Sequence, residues 1–308
     1  FGNVMDYNPT KPNWLNRDKF VLSAGHGSMF LYSWLHLSGY DLPLEEVKKF
    51  RKFGSMTPGH PEFPNSKYCT PGIAATTGPL GAGFANGVGI AASQKMAAAV
   101  YNSEKREIFN AKTFVLCGDG CMQEGVSSEA ASFAGHEGLN NLVVLYDSNG
   151  VTLDKMGDYT MSENVAKRFE SYNWEVTVVE DGHNLNDLNK ALSDAKSNVN
   201  KNNKPKLIIC KTVIGKGITE LQGTNAAHGE GGVKYLANAK KTLGINPEES
   251  FVVAPSTRKF FETVKAKNTV TYDEWTSTFD SWKAENPALA QQLAKSISKE
   301  EVDTDAMF

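Results

Sequence analysis

Residues 114–151 read FVLCGDGCMQEGVSSEAASFAGHEGLNNLVVLYDSNGV. This stretch contains two apolar runs, and each run ends in an acidic turn that contains glycine. The first turn is GDG (residues 118–120) and the second is DSNG (residues 147–150). Short β-branched runs separated by a helical stretch are typical of a strand–helix–strand unit with parallel strands.

The same pattern continues on both sides of this stretch. Apolar runs of strand length are TFVLC (113–117), LVVLY (142–146), EVTVVE (175–180) and KLIIC (206–210), and helical stretches separate them. Strands that alternate with helices predict an α/β fold, with a parallel β-sheet flanked by helices on both faces.

Composition excludes several classes of function. The chain has 308 residues, of which 40% are hydrophobic and 22% charged, as in globular proteins. A formal net charge of −3 gives no general basic field for nucleic acid or anionic lipid. The apolar runs are too short to span a membrane, and the N-terminus has no signal-peptide pattern. We expect a cytoplasmic protein. Location in an organelle is the alternative, because the natural N-terminus is expected to be missing.

The cysteines do not indicate a metal or disulfide framework. They are Cys69, Cys117, Cys121 and Cys210, and only Cys117 and Cys121 lie close together in the sequence. This spacing argues against both zinc and structural disulfides.

Helices are predicted before and after the strand-rich region. The turn GHGS (25–28) opens a helix that reaches Leu37, and a second helix is expected from Pro43 to Phe53. Small residues dominate from Leu80 to about Val100, which suggests a helix packed closely on its neighbours. After Gly244 the chain becomes polar and helical in patches.

The two acidic turns suggest a metal site. If the strands before them are parallel neighbours, both turns face one crevice at the carboxyl edge of the sheet. Asp119 and Asn149 carry oxygen ligands of the kind that Mg²⁺ prefers, and a loop carbonyl near Val151 adds a third. Gly118 and Gly120 let the backbone approach a diphosphate. A lone GDG is equally consistent with an ordinary strand-to-helix turn.

The wider sequence resembles a known family. GDG followed by Asn149, thirty positions after Asp119, resembles the thiamine diphosphate motif. Four stretches resemble, in order and spacing, the N-terminal diphosphate-binding region of transketolases: RDKFVLSAGHGSMFLYSWLHLSGYDLPLEEVKKFRKFGSMTPGHPE, TTGPLGAGFANGVGIA, GDGCMQEGVSSEAASFAGH, and KTVIGKG with GTNAAHG. The resemblance covers residues 7 to 285.

This resemblance implies the cofactors and their ligands. Thiamine diphosphate would be held with Mg²⁺, or with Ca²⁺ or another divalent ion in its place. The implied metal ligands are Asp119, Asn149 and the backbone carbonyl of Val151. Gly120 would contact the diphosphate.

The resemblance also implies which residues lie near the rest of the cofactor and the substrate. Gly78 and Leu80 match positions that bind the aminopyrimidine. His26 matches a residue near the diphosphate, His60 a ligand of a donor-sugar hydroxyl, and His228 a residue between diphosphate and substrate. We expect these three histidines to be catalytic, since each can exchange protons near neutral pH.

Other residues receive different interpretations. His36, His136 and His183 are expected to be structural. Glu124 and Glu129 match acidic residues that lie at the dimer interface in the family.

The chain also departs from the family pattern. Family members continue into a pyrimidine-binding domain, whose glutamate activates the cofactor in the other subunit, and no residue here can be assigned to that role. Asn225 stands where many members have histidine, and Met56 where a basic residue is common. These two differences bear on substrate preference.

The expected function is therefore that of a transketolase half. Residues 1–285 would form the diphosphate- and Mg-binding domain, and residues 286–308 a linker or tail toward the pyrimidine-binding domain. The activity would be reversible transfer of a two-carbon ketol unit between sugar phosphates, in the pentose phosphate pathway. A homodimer or heterotetramer with the pyrimidine-binding half is expected. The alternatives are a dihydroxyacetone synthase-like enzyme and a catalytically incomplete cofactor-binding module.

Overall fold

The computed structural model describes residues 1–64, 70–229 and 232–298. Within these ranges the centre of the fold is one parallel sheet with the spatial strand order β1-β2-β3-β5-β4. Its strands are β1 Lys19–Leu22, β2 Thr113–Gly118, β3 Leu142–Ser148, β4 Glu175–Val179 and β5 Lys206–Lys211. Cys69 and the acidic C-terminal end lie outside the described residues.

The α-helices of the described residues follow in chain order. They are α1 Ser28–Leu37, α2 Leu44–Val47, α3 Ala82–Tyr101, α4 Asp119–Gln123, α5 Gly125–His136, α6 Val165–Ser171, α7 Leu185–Ser197, α8 Leu236–Thr242, α9 Pro255–Glu285 and α10 Pro287–Ser298. Short 3₁₀ turns occur at Gly25–Gly27, Gly157–Tyr159, Asn225–Ala227 and Val233–Tyr235. The predicted α/β class is confirmed.

Alternating side chains of the strands form two buried layers. Val115, Val144 and Ile209 belong to one hydrophobic cluster, which helices α3, α5 and α6 cover. Phe114 and Val143 belong to the other cluster, which α1, α7 and α9 cover. Helices therefore cover both faces, which explains why the strands are continuous apolar runs.

The register of β2 and β3 places the two acidic turns side by side. Cys117 pairs with Tyr146, and Gly118 pairs with Asp147. Because both strands end at the same edge of the sheet, the turns that follow them face one crevice. This neighbouring position was predicted from the sequence and is confirmed.

Glycines of α3 let this helix lie directly on the sheet. A Cβ atom on Gly83 would lie 2.5 Å from Cα of Ser23, and one on Gly87 would lie 2.3 Å from Cγ2 of Val115. Ser23 is fully buried, and its hydroxyl accepts the N–H of Phe84 at 2.9 Å. The start of α3 is therefore fixed to the end of β1, close to the Gly25–Gly27 turn.

The predicted helix from Pro43 to Phe53 is wrong in its length, because only Leu44–Val47 is α-helical. The carbonyl of Glu46 accepts Oγ1 of Thr57 at 2.7 Å and the N–H of Lys49 at 3.0 Å. Arg51 has a φ of +62°, and its N–H donates to the carbonyl of Thr57. The chain thus turns back at this point instead of continuing as a helix.

The C-terminal part also differs from the expected helical patches, since α9 runs without interruption from Pro255 to Glu285. Proline at its first position suits a helix start. The following helix α10 buries Leu293 in a cluster with Trp282 and Tyr101. The division into a domain of residues 1–285 and a tail of residues 286–308 remains a prediction.

Candidate cofactor and metal site

Asp119 joins the two acidic turns. It is the first residue of α4, and only 7% of it is exposed. Its Oδ1 accepts the hydroxyl of Tyr146 at 2.7 Å, and its Oδ2 accepts the N–H groups of Asn149 and Gly150, each at 3.2 Å. The carboxylate of the first turn thus holds the backbone of the second.

The environment of this carboxylate favours a cation. Burial raises the pKa of Asp119, the three hydrogen bonds lower it, and the charge of Asp147 raises it again, with a net rise. Burial and the nearby Asp119 also raise the pKa of Tyr146, whose hydroxyl therefore stays protonated and donates. No ion pair to Asp119 occurs among the described residues. A divalent cation would offset the cost of burying this charge.

Asn149 and Val151 present further oxygen atoms at the same turn. Oδ1 of Asn149 accepts the N–H of Val151 at 3.0 Å, and its Nδ2 donates to Oδ2 of Asp147 at 3.1 Å. Val151 is buried and pairs with Met156 in an isolated antiparallel bridge. Carboxylate, amide and carbonyl oxygens suit Mg²⁺, so this donor set fits the ion expected from the sequence. In the described part of the chain, no group of three or more His, Cys, Asp and Glu residues offers an alternative metal site.

The turn TTGPLG (76–81) packs against this site. A Cβ atom on Gly120 would lie 2.8 Å from Cδ1 of Leu80, and one on Gly81 would lie 2.7 Å from Cβ of Glu124. Gly81 has a φ of +78°, which favours glycine. A Cβ on Gly78 would lie 3.6 Å from Cγ of His60. The turn therefore lies between the GDG turn and His60.

The three histidines selected from the sequence lie in one region. The ring centroids of His26 and His228 are 5.4 Å apart. Partial desolvation lowers the pKa of His26, and the proximity of His228, His60 and Arg51 lowers it further. His26 is therefore neutral at pH 7 and can accept a proton or a hydrogen bond.

The loop of His60 is fixed to α1 by its backbone. The hydroxyl of Tyr32 donates to the carbonyls of Pro58 and His60, at 2.9 and 3.2 Å, and Oγ of Ser28 donates to the carbonyl of Gly59 at 2.8 Å. These bonds leave the imidazole of His60 exposed. Its ring is thus available to a ligand on a rigid support.

The other histidines have separate surroundings. Nδ1 of His36 lies 2.9 Å from the carbonyl of Leu42, and Nε2 of His183 accepts the N–H of Val213 at 2.9 Å. His136 is exposed at the end of α5.

Some residues of the site were not identified from the sequence. Tyr146 holds the carboxylate of Asp119, and the signal that could have found it is its position as the last residue of the apolar run LVVLY. Ser23 and Arg51 contribute through contacts between segments that are distant in the sequence, for which no local signal exists. None of the helices in the described ranges is both long and apolar enough to span a membrane.

An α/β domain with a buried carboxylate and glycine turns at the carboxyl edge of its sheet has the layout of the class of proteins that bind ligands in the crevice at that edge. Residues 1–301 match the family model for the transketolase, thiamine diphosphate binding domain, and the chain belongs to this family. The resemblance found in the sequence is thus confirmed, together with the type of cofactor that defines the family.

Proteins with similar sequences agree with this assignment. The chain is 56% identical over 301 residues to a transketolase of Dictyostelium discoideum, covering 98% of this chain and 44% of that protein. It is 45% identical to a transketolase of Geobacillus stearothermophilus, covering 95% of this chain and 43% of that protein. The chain therefore spans less than half the length of these relatives.

Solved structures give the same result. The R525L mutant of transketolase from Pichia stipitis is 40% identical with a TM-score of 0.90, and the match covers 97% of this chain and 43% of that one. A transketolase from Pichia stipitis in complex with sedoheptulose-7-phosphate is 41% identical with a TM-score of 0.89, covering 94% of this chain and 42% of that one.

Proposed function

We propose that this chain is the cofactor-binding half of a transketolase, which reversibly transfers a two-carbon ketol unit from a ketose phosphate to an aldose phosphate in the pentose phosphate pathway. The observation that carries this proposal is the hydrogen-bonded pair of acidic turns beside the His26 and His228 rings, in a chain of the thiamine diphosphate-binding family.

The metal ligands we propose are Asp119, Asn149 and the backbone carbonyl of Val151. The carboxylate of Asp119 has about four acceptor positions, of which the protein uses three, so one remains for Mg²⁺. Oδ1 of Asn149 likewise accepts one N–H and retains a second lone pair. Water and phosphate oxygens would complete the octahedral shell.

The remaining residues position the cofactor and the sugar. When bound, thiamine diphosphate supplies a carbon nucleophile for cleaving and forming carbon–carbon bonds. Gly120 leaves room for a diphosphate beside Leu80, and His26 in its neutral form accepts a hydrogen bond. His228 and His60 would hold and transfer protons at substrate oxygens, because both lie close enough to His26 to lower its pKa.

Two partners are part of the proposal. A pyrimidine-binding half, in the same parent chain or in a separate subunit, would supply the glutamate that activates the cofactor. The outer face of α5 would meet a second copy, because it carries Glu129 and the half-exposed Phe133. Sugar phosphates are the proposed substrates, since a related transketolase was crystallised with one.

An assay of ketol transfer tests this function. We expect little or no transfer by the 308-residue chain alone, and transfer when the pyrimidine-binding half of a related transketolase is added. His60→Ala should then reduce donor turnover, whereas His36→Gln, in the last turn of α1, is the control histidine outside the proposed site and the proposed interface. A reconstituted complex that binds cofactor without transferring a ketol unit would contradict the proposal.

A further inference from the structure

Asp147 is a carboxylate at the end of β3 to which the proposed function assigns no role. In the sheet it lies between Gly118 of β2 and Cys210 of β5. Its side chain is partly buried and belongs to the second acidic turn, two residues before Asn149.

Both oxygens of Asp147 accept hydrogen bonds from side chains. Oδ2 accepts a hydrogen bond from Nδ2 of Asn149 at 3.1 Å, and Oδ1 accepts one from the hydroxyl of Thr212. Thr212 is itself fixed, because its N–H donates to the carbonyl of Ser148 at 3.2 Å. Asp147 therefore connects Asn149 to a rigid position just after β5.

The bond to Asp147, together with the N–H of Val151 at the other end, determines which end of the Asn149 amide faces the metal site. The oxygen and nitrogen ends of an amide are almost equal in size, so packing alone does not choose between them, and the hydrogen-bond network decides. An ionised carboxylate only accepts hydrogen bonds, so it attracts the NH₂ end and repels the oxygen. The oxygen of Asn149 is then turned toward Val151, on the side of the proposed metal ligands.

We infer that Asp147 is a positioning residue that holds the Asn149 amide with its oxygen toward the cation, and that Thr212 holds Asp147 in place. This inference rests on the proposed role of Asn149 as a metal ligand. Without Asp147 the N–H of Val151 is the remaining bond described here that orients the amide. A rotated amide would present its NH₂ group, which cannot bind a metal ion. Groups that orient metal ligands typically contribute 10- to 100-fold to metal affinity.

The same carboxylate also connects two parts of the site. Thr212 begins the segment that ends at His228, and the next residue, Val213, donates its N–H to Nε2 of His183. A bond from Asp147 to Thr212 thus fixes the base of this segment relative to the turn of Asn149.

A double-mutant cycle tests the inference. Calorimetry would measure Mg²⁺ affinity in the presence of saturating thiamine diphosphate, for the 308-residue chain with Asp147→Ala, Asn149→Ala, both changes or neither. We expect Asp147→Ala to weaken Mg²⁺ binding about 10- to 100-fold when Asn149 is present, and less than about twofold when Asn149 is replaced, because the effect passes through that amide.

Asp147→Asn separates geometry from charge. Its carbonyl can accept Nδ2 of Asn149 while its NH₂ donates to Thr212, so the affinity should stay within about fivefold of the wild type. Urea unfolding without ligand shows whether each variant folds. If Asp147→Ala does not fold, Thr212→Val takes its place in the cycle, with an expected weakening of about threefold that disappears in the Asn149→Ala background.

Each outcome is decisive. Equal Mg²⁺ affinity of wild type and Asp147→Ala would overturn the positioning role, and so would an equal loss with and without Asn149, because this would indicate a general effect of charge or stability. Failure of the wild-type chain to bind Mg²⁺ with thiamine diphosphate would instead refute the proposed function.

Discussion

Replacing Gly83 with alanine tests whether the site depends on the close contact between α3 and the end of β1. The new Cβ would lie 2.5 Å from Cα of Ser23 and 3.0 Å from Cγ2 of Thr77. Because Cα of Ser23 belongs to the backbone, it cannot move away by rotation of a side chain. The strand end or the helix must shift, and this shift strains the bond between Phe84 N–H and Ser23 Oγ.

The expected loss of stability follows from two opposing terms. Overpacking of a buried site typically lowers the free energy of unfolding by about 1–3 kcal/mol, and the better helix propensity of alanine offsets up to about 1 kcal/mol of this loss. The free energy of unfolding should therefore fall by about 1–2 kcal/mol, which lowers Tm by roughly 1.5–3 °C in a chain of this length. Affinity for thiamine diphosphate should also fall, since Ser23 lies three residues before His26.

Gly89→Ala is the matched control on the same helix. Gly89 is exposed, and a Cβ there would meet nothing within 4 Å. This variant should raise the free energy of unfolding by about 0.5–1 kcal/mol. Urea unfolding followed by circular dichroism measures both variants without cofactor. If Gly83→Ala is as stable as Gly89→Ala, the contact between α3 and Ser23 is not tight and the reasoning is refuted.

Three further predictions concern the site and its surroundings. Because the new Cβ of Gly120→Ala would meet Leu80, this variant should bind thiamine diphosphate about tenfold or more weakly. Such a loss corresponds to one hydrogen bond to a charged group, and an unchanged affinity in calorimetry would contradict the prediction. The fold lowers the pKa of His26, so the free energy of unfolding should decrease as pH falls below about 6.5, and His26→Asn should lessen that decrease. Urea unfolding from pH 7.5 to 5.5 measures this, and the same pH dependence in wild type and variant would contradict the prediction. Light scattering should show self-association that Phe133→Ser weakens, and a strict monomer with and without cofactor would argue against the α5 interface.

The sheet and the metal turns could be predicted because their signals are local. Strand runs such as TFVLC and LVVLY are short, apolar and followed by turns, and the structure has them as β2 and β3. Their parallel pairing then follows from the helix between them, which brings Asp119 to within a hydrogen bond of the Asn149 backbone. The ligand roles of these residues remain predictions.

Features that depend on distant segments could not be predicted. The helix after Pro43 stops early because the hydroxyl of Thr57 donates a hydrogen bond to the carbonyl of Glu46. Thr57 lies ten residues beyond the helix end at Val47. The Asp147–Thr212 bond joins residues 65 positions apart, and no periodicity indicates it. Helix propensity and hydrophobic spacing describe neighbours along the chain, whereas these contacts arise only when the sheet has assembled.

The central claim is that Asp119 and Asn149 hold a divalent cation against the diphosphate of the cofactor. Its most direct test is calorimetry of thiamine diphosphate binding to the 308-residue chain, with Mg²⁺ and with a chelator. We expect wild-type affinity to fall at least about 100-fold without metal, since an uncompensated diphosphate is poorly held. Asp119→Asn should bind equally weakly in both conditions. Its stability without ligand should change by less than about 1 kcal/mol, because the amide oxygen still accepts both N–H groups of the second turn.

Asp158→Asn is the control, because Asp158 is an exposed carboxylate at the rim of the same crevice. It should retain the full metal dependence of the wild type. Wild-type affinity that is equal with Mg²⁺ and with chelator, or an Asp119→Asn variant that keeps the metal dependence, would contradict the account.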